Sequence, residues 1–82
     1  MSVCTEADEL INGQRAEDYG DAKESFQRIA SIWSAVLCHT VTPHEVCLCM
    51  IGLKLSRLAS QPTHHDSQVD VCGYAALLQK LS

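Results

Sequence analysis

Basic residues are scarce. Six lysines and arginines stand against ten aspartates and glutamates in 82 residues, a formal net charge of -4. Without a stripe of cations to follow phosphates, duplex nucleic acid is not an expected partner. A long apolar run is also missing. The longest nearly unbroken one, residues 46–53, is far short of the about 20 residues that span a bilayer, so no membrane is expected. There is no Cys-x-x-Cys pair, and no secretory leader is expected. Five cysteines, at 4, 38, 47, 49 and 72, form an odd set that fits a reduced, cytoplasmic protein. Cys47 and Cys49 lie about 200° apart around a helix, so one metal does not easily take both. With Cys72 they read as small buried apolar side chains, and no structural zinc is expected. Strand alternation, internal repeats and low-complexity tracts are absent as well.

What is present is helical periodicity in a chain long enough for one domain, residues 1–82. Thr5 followed by Asp8 marks a short first helix that stops at Gly13. Residues 14–20 read as a loop. Asp21 and Glu24 then form a capping pattern ahead of Phe26, Ile29, Ala30, Trp33, Val36 and Leu37, an amphipathic second helix with Trp33 on its core stripe. Thr42, Pro43 and Glu45 open a third helix reaching about residue 59. Its apolar residues surround the axis, which predicts a central helix packed on several faces. A turn containing Pro62 leads to a fourth helix, from about residue 66 to 81, capped by Thr63 or His65. So small a chain buries only about 60% of its unfolded surface, and its apolar excess calls for another copy. The expected fold is all-α: three longer helices and a short N-terminal one in a small bundle, oligomeric.

Polar residues interrupt this pattern in two places. Lys54 and Arg57 share a face of the third helix, and Asp66 and Asp70 share a face of the fourth, with Tyr74 one turn on. In a structural reading, the acids neutralise the cations across a hairpin. Removal of Arg57 would then strand a buried acid, at about 3–5 kcal/mol. In a functional reading, Lys54 and Arg57 grip phosphate while Tyr74 meets a base or ribose. The second place is the loop before the second helix, where Arg15, Glu17, Asp18 and Tyr19 precede a helix N-terminus suited to anions. As a turn, the same residues need no ligand. His64 and His65, beside Asp66, are either an exposed turn or further ligand contacts.

Taken in order, several segments carry a resemblance. They are Ile11-Asn12-Gly13-Gln14-Arg15, Asp18-Tyr19-Gly20-Asp21, Phe26, Arg28-Ile29-Ala30, Ile32-Trp33-Ser34-Ala35, Thr42-Pro43, Leu53-Lys54, Arg57-Leu58, His65-Asp66-Ser67, Val69-Asp70 and Gly73-Tyr74-Ala75-Ala76. From Leu10 onward the chain resembles a family of small phage-encoded helical proteins of unassigned function. That family is similar in turn to the MazG-like all-α nucleotide pyrophosphohydrolases, through an acid-rich helix ending in Asp, Gly or Asn, and Tyr. Such enzymes hold Mg²⁺ with two acidic pairs on neighbouring helices. Here Asp66 and Asp70 match one pair, at a spacing of four instead of three. The second pair has no counterpart: Asp21, Glu24 and Glu45 sit at helix starts, and Lys54 and Arg57 occupy the ligand positions.

The resemblance therefore implies nucleotide binding without catalysis, in the cytoplasm of an infected bacterium. The expected activity is sequestration of a nucleotide, such as a signalling nucleotide of host immunity. The expected ligand residues are Arg15, Asp18, Tyr19, Lys54, Arg57, His65, Asp66, Asp70 and Tyr74, with no catalytic residue and no cofactor. The expected partners are that nucleotide and further copies of the chain. Two alternatives remain: a reduced hydrolase whose Mg²⁺ site is completed across a dimer by Asp18 or Glu17, and a structural or host-protein-binding module.

Overall fold

The computed structural model describes residues 2–12 and 22–81, with side chains for 2–10 and 22–81. Among them all regular structure is helical: α1 (Val3–Asn12), α2 (Ala22–Leu37), α3 (Pro43–Ser60) and α4 (His65–Leu81). The start of α1 lies before the expected Thr5. The Ser2 hydroxyl accepts the Thr5 N–H at 3.1 Å and its carbonyl accepts the Glu6 N–H at 3.0 Å, so Ser2 is the cap. The Asp21 half of the next capping pattern lies outside the described residues. Glu24, in the first turn of α2, pairs with Arg28 at 3.7 Å.

The connection from α2 to α3 is fixed by one hydroxyl. Ser34 donates to the Ala30 carbonyl at 2.7 Å and accepts the Val41 N–H at 2.8 Å. Between them Cys38 takes the left-handed conformation, φ 58°, that turns the chain off the helix end. The capping box of α3 forms as its sequence predicts. Thr42 accepts the Glu45 N–H at 3.2 Å, and the Glu45 carboxylate accepts the Thr42 N–H at 2.9 Å.

The core gathers Ala22, Phe26 and Ala30 of α2, Val46 and Cys47 of α3, and Leu77 and Leu81 of α4, with Trp33 and Met50 packed against it. Each larger side chain buried there contributes roughly 1.5–3 kcal/mol. The central element is α4 and not α3: α4 packs on α1, α2 and α3, whereas α3 packs substantially on α2 and α4 only. The reason lies in the far side of α3. Leu48 and Leu55 are exposed there, and Cys49, expected to be buried, is exposed as well. Apolar residues around the whole circumference thus mark a helix buried on one face. Where α1 crosses α4, a Cβ at Gly73 would lie 3.9 Å from that of Ala7, so small residues set the approach.

Candidate functional site

The hairpin of α3 and α4 is closed by hydrogen bonds that depend on neither Lys54 nor the acids. The Gln61 N–H donates to the Arg57 carbonyl at 2.9 Å, and the His64 N–H donates to the Gln61 carbonyl at 3.0 Å. The α4 cap is His64, in place of the expected Thr63 or His65. Its Nδ1 accepts the Ser67 N–H at 3.2 Å and lies 2.7 Å from Ser67 Oγ. Ser67 is buried, and the ring is thereby held in one orientation.

Along the hairpin runs an open cleft of about 560 Å³, lined by Leu53, Lys54, Ser56, Arg57 and Ser60 from α3 and by His64, Asp66, Ser67 and Asp70. The expected pairing of cations with acids forms only in part. Lys54 Nζ lies 3.1 Å from Asp70 Oδ2, both side chains partly exposed at 29% and 41%. Among the described residues no ion pair reaches Asp66. Arg57 is exposed and bonds elsewhere, its Nε donating to Gln61 Oε1 at 2.9 Å. One guanidinium nitrogen is 3.5 Å from His64 Nε2. Which ring nitrogen of His64 carries the proton sets the direction of both contacts, Nδ1 with Ser67 Oγ and Nε2 with the guanidinium.

Four of the sequence-predicted residues, Lys54, Arg57, Asp66 and Asp70, therefore meet in one cleft. Two others stand apart from it. His65 Nε2 lies 2.7 Å from Glu6 Oε2 and fastens the start of α4 to α1. Tyr74 packs edge-on against Phe26, ring centroids 6.3 Å apart and planes at 80°. Tyr74 also borders a pocket of about 60 Å³ between α1 and α4, together with Ala7, Leu10, Val69, Gly73 and Leu77, and Asp70 lines both cavities. Arg15, Asp18 and Tyr19 lie outside the described residues. Ser67 and Gln61 escape a reading that looks for charge, whereas His64, which the sequence offers as a turn or ligand residue, also serves as the cap. The available signal was the three-residue spacing from His64 to Ser67, which is that of a helix cap.

Among the described residues no cluster of three or more His, Cys, Asp or Glu side chains gathers around a common point, and no helix is long and apolar enough to cross a membrane.

Comparison with known proteins places these residues in context. A family model described as a domain of unknown function (DUF6378) matches residues 2–82. The "Gene 55 protein" of Mycobacterium phage L5 is 49% identical over 82 residues, covering 99% of this chain and 53% of that protein. The "Gene 55 protein" of Mycobacterium phage D29 is 34% identical over 80 residues, covering 98% and 53%. The chain thus spans about half the length of the curated relatives it matches. No solved structure matches.

Proposed function

The chain belongs to the DUF6378 family, and on that premise we propose that it binds a phosphate-bearing nucleotide in the α3–α4 cleft and sequesters it without turnover. One observation carries the reading: the Arg57 guanidinium and the His64 imidazole meet 3.5 Å apart on the lining of the cleft. A phosphate oxygen between them accepts from both, and the planar guanidinium offers further N–H groups to the same phosphate. Gln61 preorganises Arg57 and Ser67 preorganises His64, so few rotamers are lost on binding. Sequestration is favoured over hydrolysis because the Asp70 carboxylate is engaged by Lys54 at 3.1 Å. Removing an acid from a divalent-cation cage in this way leaves Asp66 without its partner. The choice of a nucleotide rests on the similarity to MazG-like enzymes, and a signalling nucleotide of host immunity is one candidate.

Assembly into a homo-oligomer belongs to the same proposal. Ile32 and Val36 on α2, and Leu48 and Leu55 on α3, form exposed apolar stripes at helical spacing. A second copy covers them most simply.

The test is capture and release. The protein is incubated with a mixture of nucleotides, exchanged into fresh buffer and denatured, and the supernatant is chromatographed. Intact nucleotide from the wild type, and none from Arg57→Ala, is expected. Hydrolysis products would establish the pyrophosphohydrolase instead. An empty supernatant from the wild type would leave the protein-interaction role.

A further inference from the structure

The described residues contain one thiol pair, and it spans the chain almost end to end. Cys4 on α1 and Cys72 on α4 lie with their sulfurs 2.7 Å apart. The remaining cysteines have no such neighbour. Cys47 is buried and its thiol donates to the Tyr74 carbonyl at 3.0 Å, while Cys38 and Cys49 are exposed singly.

We propose that Cys4 and Cys72 are an oxidisable dithiol that closes to a disulfide in the presence of a small-molecule disulfide such as oxidised glutathione, locking α1 onto α4. The sulfurs need to approach by only a fraction of an ångström to reach the S–S distance of about 2.05 Å. Their environments also differ in the way a two-step exchange requires. Cys4 is exposed to the oxidant, whereas Cys72 is half-buried. The bond to Cys4 and partial burial push the Cys72 thiol above its ordinary value. Cys4, the sulfur an oxidant reaches first, is the attacking group and Cys72 the resolving one.

The step balances. Cys4 loses its proton and attacks one sulfur of the oxidised glutathione, expelling one glutathione thiolate and leaving a mixed disulfide. Cys72 then loses its proton, attacks the Cys4 sulfur and expels the second glutathione. Two protein thiols have given up two electrons and two protons, and the glutathione S–S bond has taken them to become two thiols.

The disulfide reinforces an interface along which α1 already packs on α4. Ala7 is the only buried side chain among those described in α1, and the exposed His65–Glu6 contact also joins the helix to α4. Ala7 and Leu10 wall the small pocket beside Tyr74, so oxidation fixes one side of that pocket as well. The inference is independent of nucleotide binding.

Trypsin separates the cysteines without ambiguity: residues 1–15 carry Cys4, residues 29–54 carry Cys38, Cys47 and Cys49, and residues 58–80 carry Cys72. After treatment with oxidised glutathione, mass spectrometry of a non-reducing digest is expected to find 1–15 joined to 58–80. The denatured protein should still run as a single chain, lighter by two hydrogens. Its Tm should rise on the order of 10 °C, reversibly on reduction. Cys4→Ser and Cys72→Ser should each abolish the link and the shift, and Cys49→Ser should abolish neither. A link from either peptide to 29–54, a linkage only between chains, or free thiols at both positions would overturn the proposal.

Discussion

At the scale of single residues, Arg57 separates a scaffold role from a binding role. The spacing of Lys54, Arg57, Asp66 and Asp70 correctly places two cations opposite two acids, and the Lys54–Asp70 pair at 3.1 Å is its outcome. It does not reveal that Arg57 turns to Gln61, because hairpin geometry, not charge, decides what lies within reach. An exposed Arg57 leaves no buried acid behind when it is removed. Arg57→Ala should therefore change stability by no more than about 0.5 kcal/mol, read as a Tm within a few degrees of wild type, while nucleotide capture is lost. Arg57→Lys should also lose capture, since an ammonium lacks the planar two-pronged grip. His64 carries both roles, and two substitutions divide them. His64→Ala should cost on the order of 1 kcal/mol by removing a helix cap. His64→Asp should restore that stability, as aspartate caps well at a helix N-terminus, yet fail to bind because a carboxylate then occupies the space beside Arg57. Recovered binding in His64→Asp would show that the imidazole does not touch the anion.

At the scale of elements, local chemistry was legible wherever it was self-contained. The Thr42–Glu45 box reads directly from sequence because both of its bonds lie within four consecutive residues. The two hydrogen bonds from Thr42 hold the Glu45 carboxyl below its ordinary value. A carboxyl lowered on folding contributes stability that is present above its unfolded value, about 4.3. That contribution is lost as pH falls from there through the lower folded value. Acid titration of Tm should accordingly show a shallower loss below pH of about 4 in Glu45→Gln than in wild type, and Thr42→Ala should cost about 1 kcal/mol at neutral pH. An unchanged acid limb in Glu45→Gln would mean that other carboxyls set it. The two other caps were misplaced for a common reason. Ser2 and His64 each have a competitor close by, Thr5 for the first and Thr63 or His65 for the second, and only the backbone path decides which side chain faces the free N–H groups. The hub was misjudged on different grounds. Both α3 and α4 are apolar on all sides, and the wheel alone cannot say which faces are covered within the chain.

At the scale of the whole molecule, that ambiguity becomes a prediction. Leu48 and Leu55 of α3 and Val36 of α2 are 54%, 52% and 74% exposed. Each exposed leucine or valine forgoes part of the roughly 1.5–3 kcal/mol that burial would supply. Light scattering at micromolar concentration should report an oligomer, and Leu55→Glu should shift it toward monomer without unfolding the helices. A stable wild-type monomer would mean that this face serves another partner. Because the relatives are about twice as long, these measurements concern the part of the family fold that this chain represents.

The cleft itself is tested most directly by nuclear magnetic resonance of the nitrogen-15-labelled protein during titration with inorganic pyrophosphate. The account predicts saturable shifts of the Arg57 side-chain Nε and the His64 Nε2, absent in Arg57→Ala. Saturable shifts confined to Arg15 and Tyr19, or no saturable shift anywhere, would contradict it.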